Sequence, residues 1–412
     1  MKKYIKCGKL FTAVDDAIYE GMAIVIEGER VEEILPWDQI PADAEVIDLS
    51  DKFVTPGLID GHVHITNRPF GDNTIYYATH TQADMTLVAL RQAQANLLAG
   101  FTTLRDAGGN DFIDIGVRDG INAGLAVGPR IMAPGKALTI TGGTADSQFN
   151  PTIQGDHRLG IVCDSPDAMR AAARLNIKYG ADHIKIMGTG GVVRVGSAPA
   201  ASSFTMPELR AAIEVAEEHE MTTMFHAHGK RGILNGTLAG ATSIEHGSQM
   251  DDECAQAMAE RGTYFVPTMI AAARMAEAGD KLPIWMVDKA KEAVANIAHA
   301  LALSRQYGVK LAFGTDASTP FSSHGKQAYE FELIIRNSDY TPLELLIAAT
   351  RTNAQMMRWD DRVGSLAKGK FADVCAYDES PLENIKVLSN VSFVMKGGRV
   401  IKQDGKVVAT IE

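Results

Sequence analysis

The chain has 412 residues, a formal net charge of -11, 46% hydrophobic and 22% charged residues, which suits one large folded domain with a smaller companion and argues against extended disorder. The acidic balance and the lack of any Lys/Arg run argue against nucleic-acid binding, and no stretch approaches the roughly 18 uninterrupted apolar residues of a membrane span. The four cysteines, Cys7, Cys163, Cys254 and Cys375, are far apart and form no C-x-x-C pair, as suits core packing in a reducing compartment.

The opening MKKYIKCGKLFTAVDD has two lysines with no apolar run behind them. It reads as an alternating strand and not as a signal peptide, so the expected location is cytoplasmic. From Met1 to about Phe53 short alternating runs, Met22 to Ile26 and Arg30 to Ile34 among them, are separated by Gly and charged turns. The same texture returns after about Val363 in FADVCAYD, VSFVMKGGRVIK and KVVATIE, with Gly-Gly and Asp-Gly turns between the runs. The expectation is a small β-sandwich domain built from residues 1–55 and 363–412.

Between these ends, over residues 56–362, short β-branched runs alternate with helical patterns, the mark of parallel βα units. The expected strands are Leu58–His64, Thr102–Asp106, Arg130–Pro134, His183–Met187, Thr222–Ala227, Ser243–Gly247, Tyr264–Thr268 and Leu311–Asp316. Eight such units predict an α/β fold closed as a (β/α)8 TIM barrel. Ser165-Pro166 opens one helix and Gly180 closes it, while Thr205–Glu208 and Thr341–Glu344 match capping boxes. Three stretches after strand ends, Ile65–Thr81, Lys136–Cys163 and Gly188–Ser203, are rich in Gly, Thr, Ser and Asp. In a barrel they belong to the catalytic face.

The chemistry-bearing residues fall at the ends of these strands. His62 and His64 close the first in GLIDGHVHIT, and alternate residues on a strand point the same way, so the pair can share one metal ion. The pair alone is a weak signal, since two satisfied histidines are about as common there. FHAHG and IEHG end the fifth and sixth strands with His226, His228 and His246, and FGTDAS ends the eighth with Asp316. One carboxylate and several imidazoles on one rim suit zinc or another borderline divalent ion. Lys185 lies in the apolar fourth strand, HIKIMGTGG. A buried lysine must shift its pKa, pair with an acid or be chemically modified.

Taken together, VTPGLIDGHVH, GFTTLRDAGG, HIKIMGTGG, FHAHG, SIEHGS, FGTDAS and the terminal GSLAKGKFADVCAYDESPLENI resemble the amidohydrolase superfamily over nearly the whole chain. The branch they resemble is that of imidazolonepropionase-like and prolidase-like dipeptidases, acting on Xaa-Pro or Xaa-Arg/Lys. The resemblance implies two divalent metal ions, with zinc expected. His62 and His64 would hold the more buried ion and His226 and His246 the more exposed one. Lys185, carboxylated by CO2 to N6-carboxylysine, would bridge the two, with Asp316 beside the buried ion. His226 is taken as the ligand because the family's fifth-strand ligand is the first residue of an H-A-x pattern, which leaves His228 to meet substrate.

Further implications follow from the same resemblance. The reaction is hydrolysis of the amide bond of a small dipeptide or N-acyl amino acid, releasing a C-terminal amino acid by a homo-oligomer. Asp316 would take a proton from the attacking water and pass it to the leaving nitrogen. His228, Thr144 and Arg231 are the expected substrate contacts, with Lys230 and Arg231 adding positive potential. Relatives often carry histidine in the G-G-H-x-D stretch where this chain reads TGGTAD, with Thr144 in that place, so that histidine's role does not carry over. The H-A-H-G form is similar to relatives that release basic or other non-proline residues, where H-A-Y relatives favour proline. A deaminase or lactonase of the same superfamily is the alternative, although its deaminases commonly use one metal and lack the bridging lysine. A non-catalytic assembly relative is the remote one.

Overall fold

The computed structural model describes residues 2–146, 159–191 and 200–409. Parts of two glycine-rich stretches singled out above, 147–158 and 192–199, therefore lie outside the described residues. The fold is mixed α/β, with parallel strands carrying the expected metal-binding residues and a separate sheet made by both ends of the chain.

That terminal sheet has nine strands. The 12-residue strand Glu45–Pro56 joins its halves, pairing parallel with Lys2–Phe11 and antiparallel with Val374–Tyr377. Hydrogen bonding runs through it as one sheet, where the sandwich expectation implied two layers. Its apolar residues, Ile5, Leu10, Ile24, Val54, Val374 and Phe393 among them, meet in a single buried cluster. Other apolar residues of the sheet, Phe11, Phe53, Tyr377 and Val394 among them, join the larger cluster shared with the parallel strands.

The parallel strands form two groups. Leu58–Val63, Phe101–Asp106 and Arg130–Met132 pair in that order. Ala137–Thr139, His183–Met187, Thr222–Ala227, Ser243–His246 and Tyr264–Val266 pair in the other, with Gly160–Val162 at its edge. Every residue of Leu58–Val63, Phe101–Asp106, His183–Met187 and Thr222–Ala227 is buried. Strands covered on both faces read as largely apolar runs with embedded polar residues, and here the ionisable ones are Asp60, His62, Arg105, Asp106, His183, Lys185 and His226.

Two of the expected strands differ from their sequence reading. The third pairs with its neighbour only over Arg130–Met132; after Pro134 and Gly135, whose φ is +70°, the chain resumes as Ala137–Thr139 beside a different strand. The eighth, around 311–317, forms no regular ladder. It is held by single parallel bridges, Phe265↔Leu311 on one side and Val63↔Ala317 on the other, and by Gly61 N–H donating to Phe313 O (2.9 Å) and Asp316 N–H donating to His62 O (2.7 Å). Gly314 makes this close passage possible, because a Cβ there would lie 2.5 Å from Val266 Cγ1 and 2.9 Å from His62 Cβ.

Helices pack around these strands and begin where the caps direct. Ser165 caps Pro166–Lys178, and Thr205 and Thr341 form capping boxes with Glu208 and Glu344. Among the described residues no helix is long and apolar enough to cross a membrane.

A buried histidine ties the helix Gln82–Leu98 to the strand ends. His324 Nε2 lies 3.2 Å from His64 O, and its Nδ1 lies 2.8 Å from Asn96 Nδ2. A carbonyl can only accept, so Nε2 carries the proton and Nδ1 accepts from the Asn96 amide, a neutral ring. Burial pushes its pKa down to about 4 from an ordinary 6.5. Between those values the unfolded chain binds a proton that the folded chain refuses, so the His324 contribution is present above pH 6.5 and lost as pH falls towards 4. The metal-free protein is expected to lose on the order of 3 kcal/mol over that window from this group. His324→Gln should flatten the slope in denaturant titrations at stepped pH; an unchanged slope would remove His324 as its source.

Candidate metal centre

Six of the residues expected at the strand ends come together in two groups. Ligand atoms of His62, His64 and Asp316 all lie within 4.8 Å of one another, and so do those of His226, His228 and His246. The groups adjoin, since the His62 and His246 ring centroids are 5.1 Å apart. In the first, Asp316 Oδ1 sits 3.4 Å from His62 Nε2 and 3.3 Å from His64 Nε2. In the second, His226 and His246 stand edge to face at 4.6 Å while His228 and His246 stack at 4.8 Å.

Backbone geometry at the strand ends aims these side chains. His246 and Asp316 both adopt positive φ, 69° and 55°, a conformation that costs a non-glycine residue of order 1–3 kcal/mol and recurs at functional sites. For Asp316 the turn sets its carboxylate against the His62 and His64 rings. For His246 it breaks strand alternation, so that Glu245 and His246 both reach the interior instead of opposite faces.

Hydrogen bonds assign the ring protons, and the assignment leaves free nitrogens where a metal would need them. His64 Nδ1 is 3.3 Å from the Gly108 carbonyl, so Nδ1 carries hydrogen and Nε2 is left bare. His246 Nδ1 lies 2.7 Å from Thr268 Oγ1, whose own hydrogen goes to Pro267 O; the hydroxyl can only accept, and again Nε2 is bare. His62 Nδ1 lies 2.7 Å from Glu245 Oε2, with the same result. His226 is reversed: its Nε2 is 3.3 Å from Gly190 O, which leaves Nδ1. Each nitrogen left bare on a first-group ring is the one that faces Asp316.

Electrostatics differ between the two groups. Burial holds His226 and His246 well below the ordinary histidine range and takes His228 down to about 4. Burial and the Lys185 ammonium oppose the charged form of His62, but the Asp316 and Glu245 carboxylates outweigh them and raise its pKa. Burial opposes ionisation of Asp316 as well, yet His62 and His64 bring it well below the usual carboxylate range. Divalent ions require deprotonated ligands: the second group offers neutral imidazoles, and in the first an ion would displace the proton that Asp316 and Glu245 favour on His62. The residues present therefore fit divalent metal ions.

Lys185 is 1% exposed, and among the described residues its amine makes no hydrogen bond or ion pair. Burial brings it down to about 8, against the pull of Glu245 and Asp316. Its charge bears on His62 in one group and on His226 and His228 in the other.

The expected substrate contacts separate. His228 stands inside the three-histidine group, with Nδ1 3.0 Å from Ser248 Oγ. Thr144 Oγ1 donates to Thr189 O at 3.0 Å, and Thr189 Oγ1 accepts from the His228 N–H at 3.0 Å, so Thr144 supports that strand end through one intervening residue. Arg231 is exposed on the helix Lys230–Ala239, and among the described residues no hydrogen bond or ion pair ties it to the histidines. Lys230 is engaged by Asp251 at 2.6 Å and Glu253 at 2.7 Å. Neither cation is spare near the rings. Sequence reasoning missed Glu245 and Thr268, which hold two of the rings; the one signal available for Glu245 was an acid set in an apolar strand beside a histidine.

The chain is similar to known enzymes. The Amidohydrolase family model matches residues 53–401. Ochratoxinase of Aspergillus niger is 32% identical over 377 residues, covering 85% of this chain and 76% of that one. The crystal structure of a Xaa-Pro dipeptidase with methionine bound in its active site is 34% identical with a TM-score of 0.90, over 98% of this chain and 100% of the other. A prolidase solved with N-methylphosphonate-L-proline is 30% identical with a TM-score of 0.88, again over 98% and 100%. With the match spanning both the strands that carry the histidines and the sheet that joins the chain ends, the protein belongs to the amidohydrolase family, metal-dependent hydrolases of carbon–nitrogen bonds.

Proposed function

We propose that the protein is a binuclear amidohydrolase that cleaves the amide bond of a small dipeptide or N-acyl amino acid and releases the C-terminal amino acid. The observation that carries this reading is the pair of adjoining ligand groups with a buried lysine amine that, among the described residues, has no hydrogen-bond or ion-pair partner and whose charge bears on both. In it, His62 and His64 hold one ion, His226 and His246 the other, and Lys185 joins them as its carbamate. Carbamate formation needs the neutral amine, which burial makes available. The imidazole and carboxylate donors favour zinc. We also take the parallel strands and the 311–317 segment as one closed (β/α)8 barrel over about 56–362, with 1–55 and 363–412 as its companion domain.

When bound, the ions would supply Lewis acidity to a water and to the scissile carbonyl. The chain's own residues do the rest. Asp316, ionised and held against His62 and His64, accepts a proton from the attacking water at a carboxylate oxygen and returns it to the departing nitrogen. The buried rings and strands around it exclude bulk water. A panel of dipeptides and N-acyl amino acids, with the released amino acids identified, tests the substrate class. The two solved relatives are named for proline substrates, whereas the H-A-H-G form favours non-proline residues, so the panel carries matched pairs. Release of free amino acids from its members is expected, and no turnover on any member by metal-loaded protein would contradict the reading.

His228 either reads the substrate's terminal carboxylate or, as its place in the three-histidine group favours, adds a third imidazole to the second ion. His228→Ala separates the two. A carboxylate contact predicts a drop in kcat/KM on acid substrates of about tenfold or more that spares their amides. An equal drop on both, with one ion lost, means ligation.

A further inference from the structure

We propose that Arg105 is a positioning residue for His62. It fixes the Glu245 carboxylate, which aims the imidazole, and so it governs how tightly one of the two ions is held. The inference rests on the binuclear reading above.

Arg105, Ser243 and Glu245 come from two different strands and all are 0% exposed. Arg105 Nη1 donates to Ser243 Oγ at 2.9 Å and reaches Glu245 Oε1 at 3.4 Å, and the Ser243 hydroxyl donates to that same Oε1. The other carboxylate oxygen, Oε2, takes the His62 Nδ1 hydrogen at 2.7 Å. Both oxygens of one carboxylate are therefore committed. The terminal torsion of glutamate and the ring torsion of histidine are broad and soft, so without the anchor at Oε1 neither group has a reason to keep the orientation that points Nε2 at Asp316.

The cost of this arrangement says that packing alone does not explain it. A guanidinium buried with one carboxylate partner forgoes most of its hydration. Two of its nitrogens, Nε and Nη2, find no hydrogen-bond partner among the described residues. Its Nη1 lies 3.6 Å from Met356 Sδ, in surroundings that an apolar side chain of similar length would fill. Filling space does not require a cation here, whereas fixing Oε1 requires a donor at that point. The sequence gives no hint of it, because GFTTLRDAGG reads only as a strand ending in an acid.

The test is ion release. In Arg105→Met, one of the two ions should be lost to chelator about 10–100-fold faster than from the parent, as for other partners that orient metal ligands, while the second keeps its parental rate. Ser243→Ala removes the hydroxyl joining the pair without stranding a charge; it should move the same ion in the same direction by less, and it decides the matter if Arg105→Met does not fold. Unchanged release of both ions, or equal acceleration of both, would overturn the proposal. A readout that needs no metal separates this from the binuclear reading. In metal-free protein labelled at histidine nitrogen and titrated to a pH at which the His62 ring is neutral, NMR should find its proton at Nδ1 in the parent and redistributed between nitrogens in the variants. An undisturbed His62 ring there overturns the positioning role even if the parent proves to hold two ions.

Discussion

Lys185→Ala is expected to lose metal and activity together, with kcat/KM down by about a thousandfold or more, equivalent to about 4 kcal/mol of transition-state stabilisation. The buried amine's charge bears on rings of both groups, and among the described residues it makes no hydrogen bond or ion pair. In the proposed enzyme it contributes only as an anion that both ions share. Removing it would leave the repulsion between two neighbouring cations with less negative charge to offset it. Lys185→Arg sharpens the point: it keeps a positive charge and much of the length, but guanidinium does not form the carbamate and remains a buried cation facing the ions. It should fail as badly as alanine. Near-parental metal content and turnover in the arginine variant would remove the carbamate from the account.

Asp316→Asn is expected to behave differently. Asparagine keeps the shape and an oxygen near His62 and His64 but moves no proton, so most of the metal should stay while kcat falls about a hundred- to ten-thousandfold, with KM little changed. His62 and His64 keep the wild-type carboxylate ionised well below the usual range, so the proton-accepting form is present throughout the neutral range and loss of turnover should not be recovered by raising pH. Retained turnover, or loss of metal in step with activity, would take Asp316 out of the proton-transfer role.

Most of the residues that gather in the two candidate ligand groups were legible because strand ends concentrate them. H-x-H in GLIDGHVHIT and FHAHG places two rings on one side of one strand, and apolar runs locate the strands themselves. What alternation could not give was the part that departs from it. Glu245 and His246 are adjacent and should face opposite ways, yet positive φ at His246 turns both inward. The 311–317 segment passes between strands on two bridges and a glycine contact, without a ladder that a period of two could reveal. Alternation also placed His228 beside His226 without distinguishing a ligand from a substrate contact, and the shared three-histidine group keeps those roles close. Arg231 was drawn in by nearness in sequence; the helix that starts at Lys230 carries it out to solvent.

The central claim is that two ions share one site in each chain. Elemental analysis of protein purified without chelator, then incubated with zinc and bicarbonate, tests it without needing a substrate. Close to two divalent ions per chain is the predicted content, because the two ligand groups and the bridging carbamate are costly to assemble without cations between them. A content that stays at or below one ion per chain would contradict the account.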